Sequence, residues 1–322
     1  MHANKVCVRI PASTANLGPG FDTLGMALEL YAWIEMGVAS ETRVELYGDQ
    51  MKYIPSDKNN LIYKVAQQLF TAAGVDYPEL EIAMYSDIPL TRGLGSSASA
   101  IVGALYAANA LIGGRFTDDE LFQMATKMEN HPDNVGASIF GGIVVAFWDG
   151  QRAEHIRIEP HERLELLVAI PDFQLATEKA RNILPQQVSM KDAVFNVGHS
   201  SVLVAALAAG RLDMLKPAMK DALHQPYRSA LIPGMSTLLS EADQHGALGI
   251  ALSGAGPTII AFVDRDSPDK AKLEHYLRQT LLSENVPSRT MWLKPDGRGA
   301  VLLGAEHAGR TFMDKIKGDI RS

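Results

Sequence analysis

The stretch Pro89, Leu90, Thr91, Arg92, Gly93, Leu94, Gly95, Ser96, Ser97, Ala98 and Ser99 constrains this chain more than any other. It follows an apolar run at 81–85 and opens an alanine-rich run at 97–112, so a strand ends in a small-residue loop that starts a helix. Small side chains let the backbone approach an anion closely. The first N–H groups of the helix point at that anion with the favourable end of the dipole. The loop suits a nucleotide phosphate, and Ser96 and Ser97 offer hydroxyls to phosphate oxygens or a magnesium ion. A serine-capped glycine turn without a ligand satisfies the same residues. No Gly-Lys-Ser/Thr follows, so this is not a Walker loop. Gly93, Gly95 and Ala98 also fit the dinucleotide pattern GxGxxA, but a helix start at Thr117 stands where that pattern needs a strand ending in an acidic residue.

Two more loops share this character. Residues 11–22 carry Ser13, Thr14, Asn16 and Asp22 among Gly18, Pro19 and Gly20. Asn16 offers donor and acceptor together, and Asp22 a carboxylate for an ammonium or hydroxyl; an Asx-turn is the bland alternative. Ser253, Gly254, Ala255 and Gly256 precede Pro257 and Thr258, as a hairpin loop or as a wall over a nucleotide site.

Between these loops, β-branched and aromatic runs predict strands at 6–10, 27–38, 42–46, 81–85 and 143–148, the last followed by an Asp149-Gly150 turn. Helical spacing marks 60–73 and 117–129, the latter opened by Thr117 and Glu120 at capping-box spacing. The second half predicts strands at 164–170, 248–251, 258–263 and 291–294, with helices at 177–184, 189–209, 234–245 and 268–282. Strands mixed with helices and hairpins indicate two-layer α+β domains. A length of 322 residues suits two of them, divided near 155–165.

Lys and Arg total 30 against 37 Asp and Glu, a net charge of −7, which disfavours nucleic acid or an anionic membrane as partner. The single cysteine, Cys7, excludes an internal disulfide and cysteine-rich zinc sites. The most apolar stretch, 101–112, falls short of the roughly 20 residues that span a bilayer. A soluble, cytoplasmic chain is expected, with no nucleic acid and no membrane.

Together the three loops resemble, in order, motifs 1, 2 and 3 of the GHMP kinases, a family named for galactokinase, homoserine kinase, mevalonate kinase and phosphomevalonate kinase. His131 to Gly142, Thr177 to Arg181 and Tyr227 to Gly234 resemble its homoserine kinase branch. The resemblance implies the α+β GHMP kinase fold: a small-ribosomal-protein-like α/β domain at 1–160 that binds ATP, a ferredoxin-like α+β domain at 161–303, and a tail at 304–322. It implies ATP as co-substrate, Mg2+, L-homoserine as acceptor, O-phospho-L-homoserine as product on the route to threonine, and a homodimer.

The same resemblance assigns roles. Residues 89–99 with Ser253, Gly254, Ala255 and Gly256 would hold ATP, and Ser97 and Glu129 the magnesium. Asn16 and Asp22 would meet the ammonium and hydroxyl side of the substrate, Arg181 and Arg228 its carboxylate, and Asn134 the reacting hydroxyl, which makes Asn134 and Asp22 the catalytic pair. Asn134 stands where several relatives place an aspartate, and an amide takes no proton at neutral pH. The proton is therefore expected to leave through phosphate or water, with Asp133 and His131 as competing bases. Another GHMP kinase acting on mevalonate or a sugar, and a catalytically silent ligand-binding relative, are the alternatives.

Overall fold

The computed structural model describes residues 5–304 and 310–320. The first half runs β1 (Val6–Ala15), β2 (Leu24–Val38), β3 (Arg43–Tyr47), α1 (Leu61–Ala72), β4 (Leu80–Ser86), α2 (Ser96–Leu111), α3 (Asp118–Glu129), α4 (Asp133–Phe140), β5 (Ile143–Trp148) and β6 (Ala153–Ile158). The second half runs β7 (Leu164–Pro171), α5 (Thr177–Asn182), α6 (Met190–Ala208), α7 (Leu215–Ala218), α8 (Gln225–Arg228), α9 (Met235–Glu241), β8 (Gly249–Leu252), β9 (Ile259–Asp264), α10 (Lys270–Ser283), β10 (Ser288–Leu293), β11 (Val301–Leu302) and α11 (Phe312–Ile320). This is the mixed α+β architecture that the sequence predicts.

Two sheets organise it. The first has the order β11-β1-β2-β4-β3, with β5 on β2 and β6 on β5. Among the described residues only β3 and β4 pair in parallel, and a register shift falls between Pro11 and Ala12 as the chain leaves for the first loop. The second sheet, β10-β7-β9-β8, is antiparallel throughout. Its central strand β7 is apolar on both faces. Leu166 and Val168 join the core of the first half, while Leu167 and Ala169 face Leu238, Leu273 and Leu277 of α9 and α10. Alternation at a period of two thus lets one strand serve two cores.

Four features depart from the sequence reading. Helix α4 occupies a stretch with no predicted helix. Its N-cap is Pro132 without a side-chain cap, and Gly136 is there because a Cβ would lie 2.9 Å from Val144. β6 completes the hairpin of which only the turn was legible. The expected division put 161–303 in the second domain, yet Pro295 bridges to Leu28 and β11 pairs with β1 of the first sheet. The expected tail carries α11, whose Phe312 and Ile316 pack on Cys7, Trp33 and Ala83. There Arg9 pairs with Asp319 at 3.0 Å, Trp33 Nε1 donates to Asp319 at 2.8 Å, and Lys315 pairs with Glu35. Residues 305–309 of that tail lie outside the described residues.

Candidate active site

The three loops meet at the N-terminus of α2. Ser13 N donates to Leu94 O at 3.2 Å and Gly254 N to Ala15 O at 3.2 Å. Ser253 Oγ lies 2.6 Å from Gly93 O and 2.8 Å from Thr14 Oγ1. Gly93 (φ +79°) and Gly95 (φ +71°) are required: a Cβ on Gly93 would lie 2.2 Å from Ser253 O, and one on Gly95 2.1 Å from Ser13 Oγ. Asn16, Leu17, Asp22 and Thr91 also hold positive φ. Such strain gathers where surrounding structure over-determines a functional loop. The resulting cleft is lined by the first turn of α2 at Ser96, Ser97 and Ala98. That turn's N–H groups have no acceptor within the helix, so they are available to an anion.

Charged side chains close the opposite wall. Arg181, on α5, donates Nη1 and Nη2 to the two oxygens of Asp22 at 2.9 and 2.8 Å. That bidentate pair holds the Arg181 pKa above its ordinary value, even against partial burial. Arg228, on α8, is 2 % exposed and donates Nε to Ala180 O and Nη1 to Gly254 O, both at 3.0 Å. Burial, with Arg181 nearby, pushes its pKa down to about 10. Among the described residues Arg228 Nη2 has no hydrogen-bond partner, and this residue lines the cleft.

His224 sets the pose of Arg228. Its Nε2 lies 2.8 Å from Gly18 O and its Nδ1 3.2 Å from Arg228 Nη1. A carbonyl on one side and a guanidinium on the other are both satisfied by the neutral Nε2–H tautomer. Burial pushes the His224 pKa down, in keeping with that form. Its ring stacks on Phe21 at 5.2 Å, while the Arg228 and Arg181 guanidiniums lie 5.3 and 5.7 Å from the same ring. The sequence reading gives no role to His224 or Phe21.

At the floor, Ser97 Oγ donates to Glu129 Oε1 at 2.6 Å, so α2 and the end of α3 bring together two oxygen donors 32 residues apart. His131 Nδ1 lies 2.7 Å from Asp133 Oδ1, and its Nε2 3.6 Å from Glu129 Oε2. Burial opposes charge on His131, but Asp133, Asp22 and Glu129 outweigh it and the net pKa shift is upward. Asp133 Oδ1 also accepts from Asn134 N at 2.6 Å, which anchors the first turn of α4. Asn134 Oδ1 accepts from Ser13 Oγ at 2.9 Å. Asp22, His131 and Asp133 converge within 4.8 Å, a meeting no local spacing announces.

The cleft therefore collects Asn16, Asp22, Asn134, Arg181, Arg228, Ser97 and Glu129, together with Thr91, Gly93, Gly95, Ser96, Ala98, Gly254, Ala255 and Gly256. Asn16 is buried, and its amide is committed: Nδ2 donates to Gly254 O and Oδ1 accepts from Asp22 N, each at 3.0 Å. Some of the residues expected to contact nucleotide lie outside the lining of this cleft. Pro89, Leu90 and Arg92 line a separate groove beside Asp49, Gln50 and Tyr53. The Arg92 guanidinium faces away from the cleft, donating to Pro171 O at 3.1 Å and Asp172 O at 2.7 Å, because it clamps the end of β7. Leu94, Ser99 and Ser253 are buried supports rather than lining.

The site is thus a glycine-rich loop that opens a helix, facing a wall of charged side chains. Residues 60–142 match the GHMP kinases N terminal domain and residues 203–277 the GHMP kinases C terminal domain. A homoserine kinase of Carboxydothermus hydrogenoformans is 43% identical over 92% of this chain and 97% of its own length. Another, of Deinococcus radiodurans, is 40% identical over 95% and 98%. Among solved structures, the homoserine kinase of Cytophaga hutchinsonii superposes with a TM-score of 0.84 at 26% identity, covering 94% of this chain and 98% of that one. The Lactococcus lactis galactokinase, at 17% identity and a TM-score of 0.70 over 93% and 95%, shares the fold. The chain belongs to the homoserine kinase family of the GHMP kinases.

Proposed function

We infer that this enzyme transfers the γ-phosphoryl group of ATP to the side-chain hydroxyl of L-homoserine, giving O-phospho-L-homoserine for threonine synthesis. The observation that carries the acceptor is the bidentate Asp22–Arg181 pair facing the α2 cradle, with Arg228 beside it. A zwitterion fits by exchange: its ammonium takes Asp22, and its carboxylate takes Arg181 and the unpartnered Nη2 of Arg228. A sugar would leave the Asp22–Arg181 pair closed and Arg228 without an anion, and mevalonate would draw Arg181 from Asp22 with no cation to replace it. Asn16 holds Asp22 in place through its backbone N–H.

Phosphoryl transfer asks for positioning and charge stabilisation more than for covalent chemistry. The N–H groups of Ser96, Ser97 and Ala98 receive the triphosphate. Ser97 and Glu129, an all-oxygen set at the cradle's edge, fit Mg2+, which prefers such donors and keeps several waters. When bound it would neutralise charge on the phosphates. Asn134 orients the acceptor hydroxyl from α4. Asp133 is committed to His131 and to Asn134 N, so the reading remains that the hydroxyl proton leaves through phosphate or water.

No described helix is long and apolar enough to cross a membrane; a cytoplasmic homodimer is the assembly we adopt. A coupled ADP-release assay across L-homoserine, L-threonine, mevalonate and galactose tests the function. Turnover is expected with L-homoserine above all, and preference for a non-amino-acid would overturn it.

A further inference from the structure

Helix α6 buries Leu203, Ala206 and Leu207, which are apolar, and Asn196, which is not. Asparagine is a poor helix former, and burying its amide costs free energy unless both ends find partners. Asn196, 3 % exposed, finds both outside its own helix. Its Nδ2 donates to Pro19 O at 2.7 Å, and its Oδ1 accepts from Ala222 N at 2.9 Å. Neither partner lines the cleft, but each belongs to a segment that ends in it. Pro19 lies in the loop that leads to Asp22, and Ala222 in the segment that leads to α8 and Arg228.

Both segments need support from outside. The first holds Asn16, Leu17 and Asp22 at positive φ, which local preference does not maintain. The second is a tight turn in which the Asp221 carboxylate accepts from the N–H groups of Leu223, His224 and Gln225. That leaves Ala222 N to Asn196, so the turn's donors are all satisfied. The side-chain amide is planar, and one plane therefore fixes how the two segments stand against each other. Its orientation is dictated by the partners: a proline carbonyl only accepts and a backbone N–H only donates, so the two ends cannot be exchanged.

We propose that Asn196 is a positioning residue for the acceptor, setting the spacing between Asp22 and Arg228. This deepens the amino-acid reading of the acceptor wall and rests on it. The ammonium and the carboxylate of an α-amino acid are bonded to one carbon, so their separation is fixed by covalent geometry. A wall that takes the first at Asp22 and the second at Arg228 has to reproduce that separation. His224 ties the same two segments, from Gly18 O to Arg228 Nη1, but from within the segment it orients. Asn196 acts from a third element, anchored in the core by Leu203 and Leu207. Its amide touches nothing on the α2 side of the cleft, so its effect falls on the acceptor and not on ATP.

Steady-state kinetics on the full chain carrying Asn196→Ser, which loses both bonds without burying a charge, is the test. The KM for L-homoserine is expected to rise about tenfold, with kcat and the KM for ATP within about twofold, because a misplaced handle weakens ground and transition states alike. Calorimetric titration of L-homoserine in the absence of nucleotide should weaken by the same factor. Leu203→Ala, in the core on the buried side of the same helix, is the control: it should lower Tm at least as much and leave the acceptor KM unchanged. Should the serine variant fail to fold, the isosteric Asn196→Asp, which keeps the Ala222 bond and turns an acceptor on Pro19 O, carries the same expectation. An unchanged acceptor KM, a parallel rise in both KM values, an equal rise in Leu203→Ala, or failure of both variants to fold makes Asn196 a residue of the fold alone and overturns the proposal. A wild type that prefers a non-amino-acid overturns the functional reading instead, and the same split measured on that acceptor then decides for or against Asn196.

Discussion

The two walls of the cleft are made of different material. The wall we assign to phosphate is main chain: the first turn of α2, held by glycines at positive φ and by carbonyl contacts among three loops. The wall we assign to the acceptor is charged side chains: Asp22 with Arg181, Arg228 posed by His224, and His131 between Asp133 and Glu129. A triphosphate is the same for every kinase of the fold, so dipoles fixed by backbone geometry suffice. The acceptor differs between relatives, and side chains are the part a fold can change without rebuilding itself. The first wall should fail sterically, the second electrostatically.

Gly93→Ala gives the largest effect. Its Cβ would meet the Ser253 carbonyl at 2.2 Å on a backbone at φ +79°. A fall of about a thousandfold in kcat/KM for ATP, near 4 kcal/mol, is expected in steady-state assays. Arg181→Ala should raise the KM for L-homoserine about a hundredfold, the cost of leaving a charged partner unpaired, while the KM for ATP moves less than about twofold. A parallel rise in both constants would erase the distinction between the walls. Glu129→Gln should need roughly tenfold more Mg2+ for half-maximal rate, read from a metal titration. His224→Phe keeps the stack on Phe21 but removes the acceptor for Arg228; about a tenfold rise in acceptor KM with near-constant kcat is expected.

The smallest effect lies in pH-dependent stability, where two histidines oppose one another. His131 has a raised pKa, so its contribution is complete below about pH 6.5 and is lost as pH rises through the native value. His224 has a lowered one, so stability is lost as pH falls below about 6.5 toward its native value. Urea melts across pH 5 to 8 should show His131→Gln flattening the alkaline limb and His224→Phe the acid limb, each by about 1 kcal/mol or less.

Much of this was legible locally. Thr117 and Glu120 form the capping box their spacing predicts, and Gly93 and Gly95 take the left-handed turns that only small residues tolerate cheaply. Helix α4 was hidden because Pro132 and Gly136 weaken every local helix signal, and its stability comes from packing on Phe122 and Val144. The tail helix α11 was hidden because its charges pair with Arg9 and Glu35 at the other end of the chain.

By itself the amino-acid order determined the α2 cradle and the strand–loop–helix punctuation, which rest on backbone preferences set within a few residues, and, through its motifs, the resemblance to the GHMP kinases. Tertiary structure alone decided that Asp22, Arg181 and Arg228, scattered over some two hundred positions, share one wall, and that Arg92 turns from the cleft to clamp β7. Electrostatic fields and close packing act through space, so residues that govern each other's charge need not be near in the chain.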